Sequence, residues 1–362
     1  MNRRDAVAWL LSCCAFLRLS QAKTLSDLAW AACSMSRTGL AELGRCLAGS
    51  TSVAVKHCIK RVDRFLANTR VEPLQAMQGL IEFLARPRRR LLVSLDWVDI
   101  RSFQCLVLAA RIKGRALPLL WAVYRENELF RSQNNIEYGL LRALRSVVPE
   151  TTQVVLLADR GFGRTEMARV CQELKLDYVI RIQPNVYVKH ESFTGKLLDL
   201  PVLRGKQKML RKVLYRKEDP VSQNVAVLWE ADQEEPWFLM TSLPRLGALK
   251  LSRIYAHRMT IEEYFRDTKS LRNGFAMRLT MIHDPQRLAR MLLILAMAYL
   301  LLVMVGLYAS GHFRSGQWCS TNRSNECSLV LIGRTVMDRL KLPSSRTLAR
   351  QLRTEMLEAN WG

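Results

Sequence analysis

LLVSLDW, residues 91–97, is an apolar run that stops at an aspartate. A short apolar run with no polar face predicts a strand buried on both sides of a sheet. Two more strand-like runs follow at once: SFQCLVLAARI (102–112) and ALPLLWAVY (116–124). Then the period changes. NNIEYGLLRALRSVV (134–148) reads as a helix, with Asn134 or Asn135 available to cap it. QVVLLADRG (153–161) is a second buried strand ending in a turn, again at an aspartate. TEMARVCQELK (165–175) is helical and DYVIRI (177–182) is a strand. Three meander strands, helix, strand, helix, strand make an α/β fold, a mixed sheet flanked by helices.

Outward from this core the pattern is different on each side. Residues 1–85 carry helical apolar clusters and one basic segment, VKHCIKRVDRFLANTR (55–70). On a helix its Lys56, Lys60, Arg61, Arg64 and Arg70 lie close together, above Val62, Phe65 and Leu66. That is either a generic solvated helix or a DNA-contacting one. LARPRRR (84–90), with helix-breaking Pro87, links it to the core, taken as 86–182. Residues 183–245 read as a β-rich insertion, with pieces such as NVAVLWE (224–230) and PWFLMTSL (236–243). Its run 202–217 holds Arg204, Lys206, Lys208, Arg211, Lys212, Arg216 and Lys217 without one acidic residue. The core resumes over 246–310, and 311–362 reads as a polar loop followed by two amphipathic helices, a possible dimerisation region.

The chain has 362 residues, 49% hydrophobic and 24% charged, which fits a globular protein. A net charge of +23 suits a polyanion; nucleic acid is the leading partner and an anionic membrane surface the competitor. The nine cysteines form no C-x-x-C pair, and the five histidines show no zinc spacing. This favours reduced thiols, a cytoplasmic protein and no structural zinc. The N-terminal MNRRDAVAWLLSCCAFLRL resembles an export signal but is interrupted by Asp5, closed by Arg18 and lacks a small-x-small cleavage site, so it reads as a buried helix. MLLILAMAYLLLVMVGLYAS (291–310) is long enough to span a membrane, yet a central core helix gives the same pattern, and the motifs favour the core.

The chemistry concentrates in YAHRMTIEEYFRDTKS, residues 255–270. Read as one helix, offsets of 3, 7 and 14 return to within roughly 60°, so Tyr255, Arg258, Glu262 and Lys269 form a stripe. Ile261, Phe265 and Thr268 lie on a neighbouring apolar stripe. The polar stripe is either a solvated face with i,i+4 ion pairs or part of a site. Asp96 and Asp159 each end an apolar run and follow strands of the proposed sheet, and Glu262 comes from a later helix. Three carboxylates brought together repel, and hard divalent cations are their natural counter-charge. Asp99 alternates away from Asp96, and Glu263 is rotated about 100° from Glu262, so neither belongs to the set.

SLDWVDI, LLADRGFG and YAHRMTIEEYFRDTKS, in this order, resemble the signatures of the DDE transposases of bacterial insertion sequences. They are most similar to the insertion-sequence family four, to which the transposases of transposons ten and five belong. The spacing Tyr, two residues, Arg, three, Glu, six, Lys is met without a gap, and the likeness spans roughly residues 25–345. The resemblance implies an RNase H-like fold and catalytic metal ligands Asp96, Asp159 and Glu262. Two Mg²⁺ ions would be held, with Mn²⁺ able to substitute. Tyr255, Arg258 and Lys269 would grip phosphates of the transposon end, and Trp237 would stack on a flipped base. Met259 stands where some members carry a second tryptophan. The implied reaction is cut-and-paste transposition: binding of terminal inverted repeats, pairing of two ends by a homodimer, cleavage through a hairpin and joining to target DNA, with no membrane involved. Another RNase H-like metal-dependent nuclease, an inactive DNA-binding relative and a protein anchored by 291–310 are the alternatives.

Overall fold

The computed structural model describes residues 1–85, 90–129, 132–271, 274–320 and 327–358. Residues 86–89, the centre of the expected link at Pro87, lie outside the described residues, as do 321–326 of the expected polar loop. Five helices come first: α1 (Arg3–Cys13), α2 (Leu19–Cys33), α3 (Leu40–Gly49), α4 (Val55–Ala67) and α5 (Pro73–Ala85). α4 shows the expected amphipathy, since Cys58, Val62, Phe65 and Leu66 are its buried residues.

Three strands then form the antiparallel meander: β1 (Arg90–Ile100), β2 (Phe103–Ile112) and β3 (Arg115–Arg125). Each hairpin turns through two residues, and Arg101 (φ 56°) and Gly114 (φ 63°) supply the left-handed backbone that such turns require. α6 (Gln133–Val147), β4 (Gln153–Ala158), α7 (Thr165–Glu173) and β5 (Asp177–Arg181) follow, with β4 parallel to β1 and β5 parallel to β4. This order, β3-β2-β1-β4-β5, is compatible with the RNase H-like expectation.

The expected β-rich insertion contains strands, but they are not a separate sheet. β6 (Tyr187–His190), β7 (Phe193–Lys196), β8 (Gln207–Tyr215), β9 (Val221–Leu228) and β10 (Trp237–Thr241) continue the core sheet to ten strands among the described residues. The join is β10 against β5, antiparallel, with Leu239 opposite Arg181. β5 would otherwise present an unpaired edge, and the returning chain covers it.

α8 (Ala248–Ala256) and α9 (Met259–Lys269) lead to α10 (Pro285–His312). Asp284 caps α10, accepting the Arg287 N–H at 2.7 Å, and Pro285 opens the first turn. By length and composition α10 could cross a membrane, yet 94% of its most apolar stretch is buried inside the protein. It is the central helix that the sequence favoured. Trp121 of β3 donates its indole N–H to Ala289 O at 3.0 Å, and buried Arg290 donates to Leu66 O and Val71 O at 3.0 and 3.1 Å. α11 (Leu329–Val336) crosses α10 at two glycines. A Cβ at Gly306 would lie 1.9 Å from Leu329 O, and one at Gly333 would lie 2.1 Å from Leu302 O. α12 (Ser345–Glu358) ends the described chain. One continuous apolar cluster joins α1–α5, the meander and α10–α12.

Candidate active site

Parallel pairing of β1 with β4 puts Leu95 beside Ala158. Asp96 and Asp159 are each one residue further on; β1 runs on through Asp96 to Ile100 rather than stopping before it, while Asp159 directly follows the end of β4, and the neighbouring strands are about 4.8 Å apart. β4 stops there because Asp159 caps the tight turn Arg160–Phe162, its Oδ1 accepting the Arg160 N–H at 2.6 Å. Asp96 Oδ1 accepts the N–H of Trp97 at 2.9 Å. Side-chain alternation sends both aspartates to the face where Leu92, Val155 and Leu157 pack beneath Leu251, Ile254 and Tyr255 of α8.

The segment expected to be one helix over 255–270 is two. α8 ends at Ala256 and α9 begins at Met259. The amides of His257 and Arg258 bond back three residues, to Ile254 O (3.2 Å) and Tyr255 O (2.8 Å), which tightens and ends the first helix. Thr260 donates both its backbone N–H (3.2 Å) and its Oγ1 (2.8 Å) to His257 O at the break. The consequence is a corner, with Tyr255 in the last turn of α8 and Arg258 at the start of α9, both over the aspartates. Arg258 is 8% exposed. Its Nη1 donates to Asp96 Oδ2 at 3.2 Å and its Nη2 to Glu262 Oε1 at 2.6 Å. The Tyr255 hydroxyl donates to Asp159 Oδ1 at 3.4 Å. Tyr255, Arg258 and Glu262 are thus linked to the two aspartate-bearing strands.

Burial pushes the Asp96 carboxyl up to about 6; Arg258 and the Trp97 amide oppose that rise, while Asp159 and Glu262 add to it. Burial would also loosen the Arg258 proton, but Tyr255, Asp96 and Glu262 more than reverse this, so its charge is fixed. Burial pushes the Tyr255 phenol up to about 12 and keeps it a donor at neutral pH. Among the described residues, no group of three or more His, Cys, Asp or Glu side chains is gathered closely enough to hold an ion as placed. The sequence expected Asp96, Asp159 and Glu262 to be such a group. The Arg258 guanidinium stands between Asp96 and Glu262, and a single cation of that size occupies the space a tighter oxygen cluster would close on.

Lys269 does not join this cluster. It lies two turns along α9 from Glu262; burial and then Arg278 lower its pKa, and Asp99 of β1 opposes that shift. Glu263 is bound away from the centre, to Arg115 and Arg266. Trp237 opens β10, 5.3 Å from Tyr255 in an edge-to-face contact, with the Arg181 guanidinium 5.6 Å from its ring centre. Met259 is exposed, and its sulfur accepts from Arg258.

The basic candidates divide. Lys56, Lys60 and Arg64 are exposed on α4, and Lys60 and Arg64, with His57, border a groove of about 460 Å³ against α2. Arg61 is committed instead to Asp27 of α2 at 2.8 Å, which also holds Arg3. On β8, Arg211 and Lys212 are exposed, and Lys212 takes φ 55° at the bulge between Leu210 and Val213. Lys208 shares a second groove with Lys250 and Arg253 of α8. Sequence reasoning missed these last two, because only the fold of α8 across β8 places them there.

Two comparisons bear on this geometry. No curated protein matches the chain. Residues 132–301 match the family model of the transposase DDE domain, a span that takes in Asp159, Tyr255, Arg258, Glu262 and Lys269 and begins beyond Asp96. That match supports a DDE transposase relationship for the chain and, with it, a transposase-type role in processing DNA.

Proposed function

We propose that the chain is a cut-and-paste DNA transposase of the insertion-sequence family four type, with its phosphodiester chemistry centred on Asp96, Asp159 and Glu262. One observation carries the reading. Acidic groups far apart in sequence are drawn to one corner, where Arg258 is shared by Asp96 and Glu262 and Tyr255 reaches Asp159.

The residues fit a divalent metal. The donors are hard carboxylate oxygens, burial and then the neighbouring Asp159 and Glu262 raise Asp96 although Arg258 opposes them, and a guanidinium lies between two of the carboxylates as a cation would. Asp96, Asp159 and Glu262 would hold two Mg²⁺ ions, or Mn²⁺ in their place. Bound ions of this kind activate an attacking oxygen and stabilise a leaving one. Arg258, released from the carboxylates, presents a fork of donors that matches a DNA phosphate. Tyr255 supplies a hydroxyl donor beside it, and Lys269 reaches a phosphate further along the end. Trp237, with its edge already ordered by Tyr255, would stack on an extruded base, an interaction worth about 1–3 kcal/mol.

In this reading the exposed lysines and arginines of α4 and β8 bind terminal inverted repeats, and a homodimer pairs two ends. Hydrolysis of one strand frees a 3′-hydroxyl, which attacks the opposite strand to form a hairpin; water reopens it, and the ends join target DNA. The chain would work in the bacterial cytoplasm, at the nucleoid.

The test is cleavage of a duplex carrying the element's own end. Asp96→Asn, Asp159→Asn and Glu262→Gln are each expected to abolish cutting and leave end binding intact. Wild-type cutting by any one of them removes that residue from the site. Trp237→Ala should spare the first nick and slow hairpin formation; equal slowing of both steps would mark it as a packing residue.

A further inference from the structure

Behind the two aspartates, on the opposite face of the sheet, lies a buried carboxylate for which the proposed chemistry has no use. Glu137 of α6 is 3% exposed. Its Oε1 accepts the indole N–H of Trp97 at 3.0 Å. Trp97 directly follows Asp96, and its backbone N–H is the donor to Asp96 Oδ1. Glu137 Oε2 is paired with the Arg164 guanidinium. Arg164 in turn donates to Gly161 O at 2.8 Å, two residues beyond Asp159. One carboxylate therefore ties down the peptides that follow both aspartates. Tyr215 of β8, fully buried, pins the same loop once more by donating to Gly163 O at 2.8 Å.

A pair placed only for stability is a poor use of this position. Burying two charges is often neutral or unfavourable beside an apolar pair of the same size. Burial also raises the Glu137 carboxyl despite Trp97 and Arg164, so the position carries a cost. What the arrangement provides is directional. The indole bond fixes the rotation of Trp97, and Arg164 fixes the Gly161 carbonyl in the turn after β4, while β1 and β4 hold the aspartates in register.

We infer that Glu137 is a positioning residue: through Trp97 on one side and Arg164 on the other, it sets the spacing and direction of the Asp96 and Asp159 carboxylates. The inference rests on the reading of those carboxylates as metal ligands. Partners one layer behind a metal ligand typically matter by about 10–100-fold in affinity.

The experiment titrates Mn²⁺ alone into the full-length protein, without DNA, and reads free ion by electron paramagnetic resonance. Thermal melts are recorded in parallel. Trp97→Phe deletes the indole donor while keeping an aromatic ring, though a smaller one, and Glu137→Gln keeps an acceptor for Trp97 but gives Arg164 no counter-charge. Each is expected to weaken Mn²⁺ binding by about 10–100-fold. Unchanged Mn²⁺ affinity in the two folded variants, with only the melting temperature lowered, would make Glu137 a stabilising residue and overturn the inference. Failure of the wild-type protein to bind Mn²⁺ would overturn the reading of the carboxylate centre, and the inference with it.

Discussion

Burial raises the Asp96 carboxyl to about 6, above the ordinary 3.8. An acid whose folded value is raised stabilises the fold most when protonated. That stabilisation is complete below about pH 3.8 and is lost as pH rises through about 6. The metal-free protein is therefore expected to lose stability over this window. Asp96→Asn, a mimic of the protonated form, should escape the loss and be the more stable protein at pH 7, by up to about 3 kcal/mol. Chemical denaturation at both ends of the window measures it, and a less stable Asp96→Asn at pH 7 would contradict the account. Arg258→Ala should do the reverse. It strips the counter-charge from Asp96, and removing one partner of a buried pair costs about 3–5 kcal/mol. The lower end applies because Glu262 is half in water. The deficit should shrink as pH falls and the carboxylates protonate. A deficit independent of pH would mean that Arg258 packs rather than pairs.

Elements show where local pattern was enough and where it was not. The strands around Asp96 and Asp159 were legible because buried parallel strands are near-continuous apolar runs, and those two runs end at aspartates. The corner between α8 and α9 was not. Residues 255–270 contain no proline, and the lone polar turn at His257–Arg258 has helical composition, so nothing local announces a break. What holds the corner is long-range: Tyr255 to Asp159 and Arg258 to Asp96. Around α4, spacing grouped five basic residues, but the helix ends at Ala67, short of Arg70, and the partner of Arg61 lies on α2. The two classes should separate by experiment. Lys60→Ala and Arg64→Ala are expected to weaken DNA binding and to lower its salt slope by about 1 for each phosphate no longer engaged. Arg61→Ala should instead lower thermal stability. An Arg61→Ala protein with wild-type melting and the same salt slope as Lys60→Ala would place all of them on the DNA.

At the scale of the whole molecule, the ten-stranded sheet and α10 do the organising. The sheet carries Asp96, Asp159 and Trp237 on neighbouring or nearby strands, and its extension past β5 brings β8 and its bulge alongside α8. Composition and run length announced the strands of 183–245 but not their register, because antiparallel pairing of β10 with β5 joins residues about sixty apart. α10 was readable as a core helix only with help from the rest of the chain, since apolar length alone does not distinguish core from bilayer. Its crossing with α11 depends on Gly306 and Gly333. Gly333→Ala is expected to force the helices apart and cost about 1–3 kcal/mol in urea denaturation. Neutral behaviour would show that α11 shifts freely.

The central claim is that Asp96, Asp159 and Glu262 form one ion-holding centre for which Arg258 stands in. The most direct measurement is a crystal structure of the full-length protein soaked in Mn²⁺, with anomalous scattering recorded at the manganese edge. The account predicts manganese peaks bounded by those three carboxylates, with the Arg258 guanidinium withdrawn from Asp96 and Glu262. Peaks elsewhere, or none while Arg258 stays bonded to both acids, would contradict it.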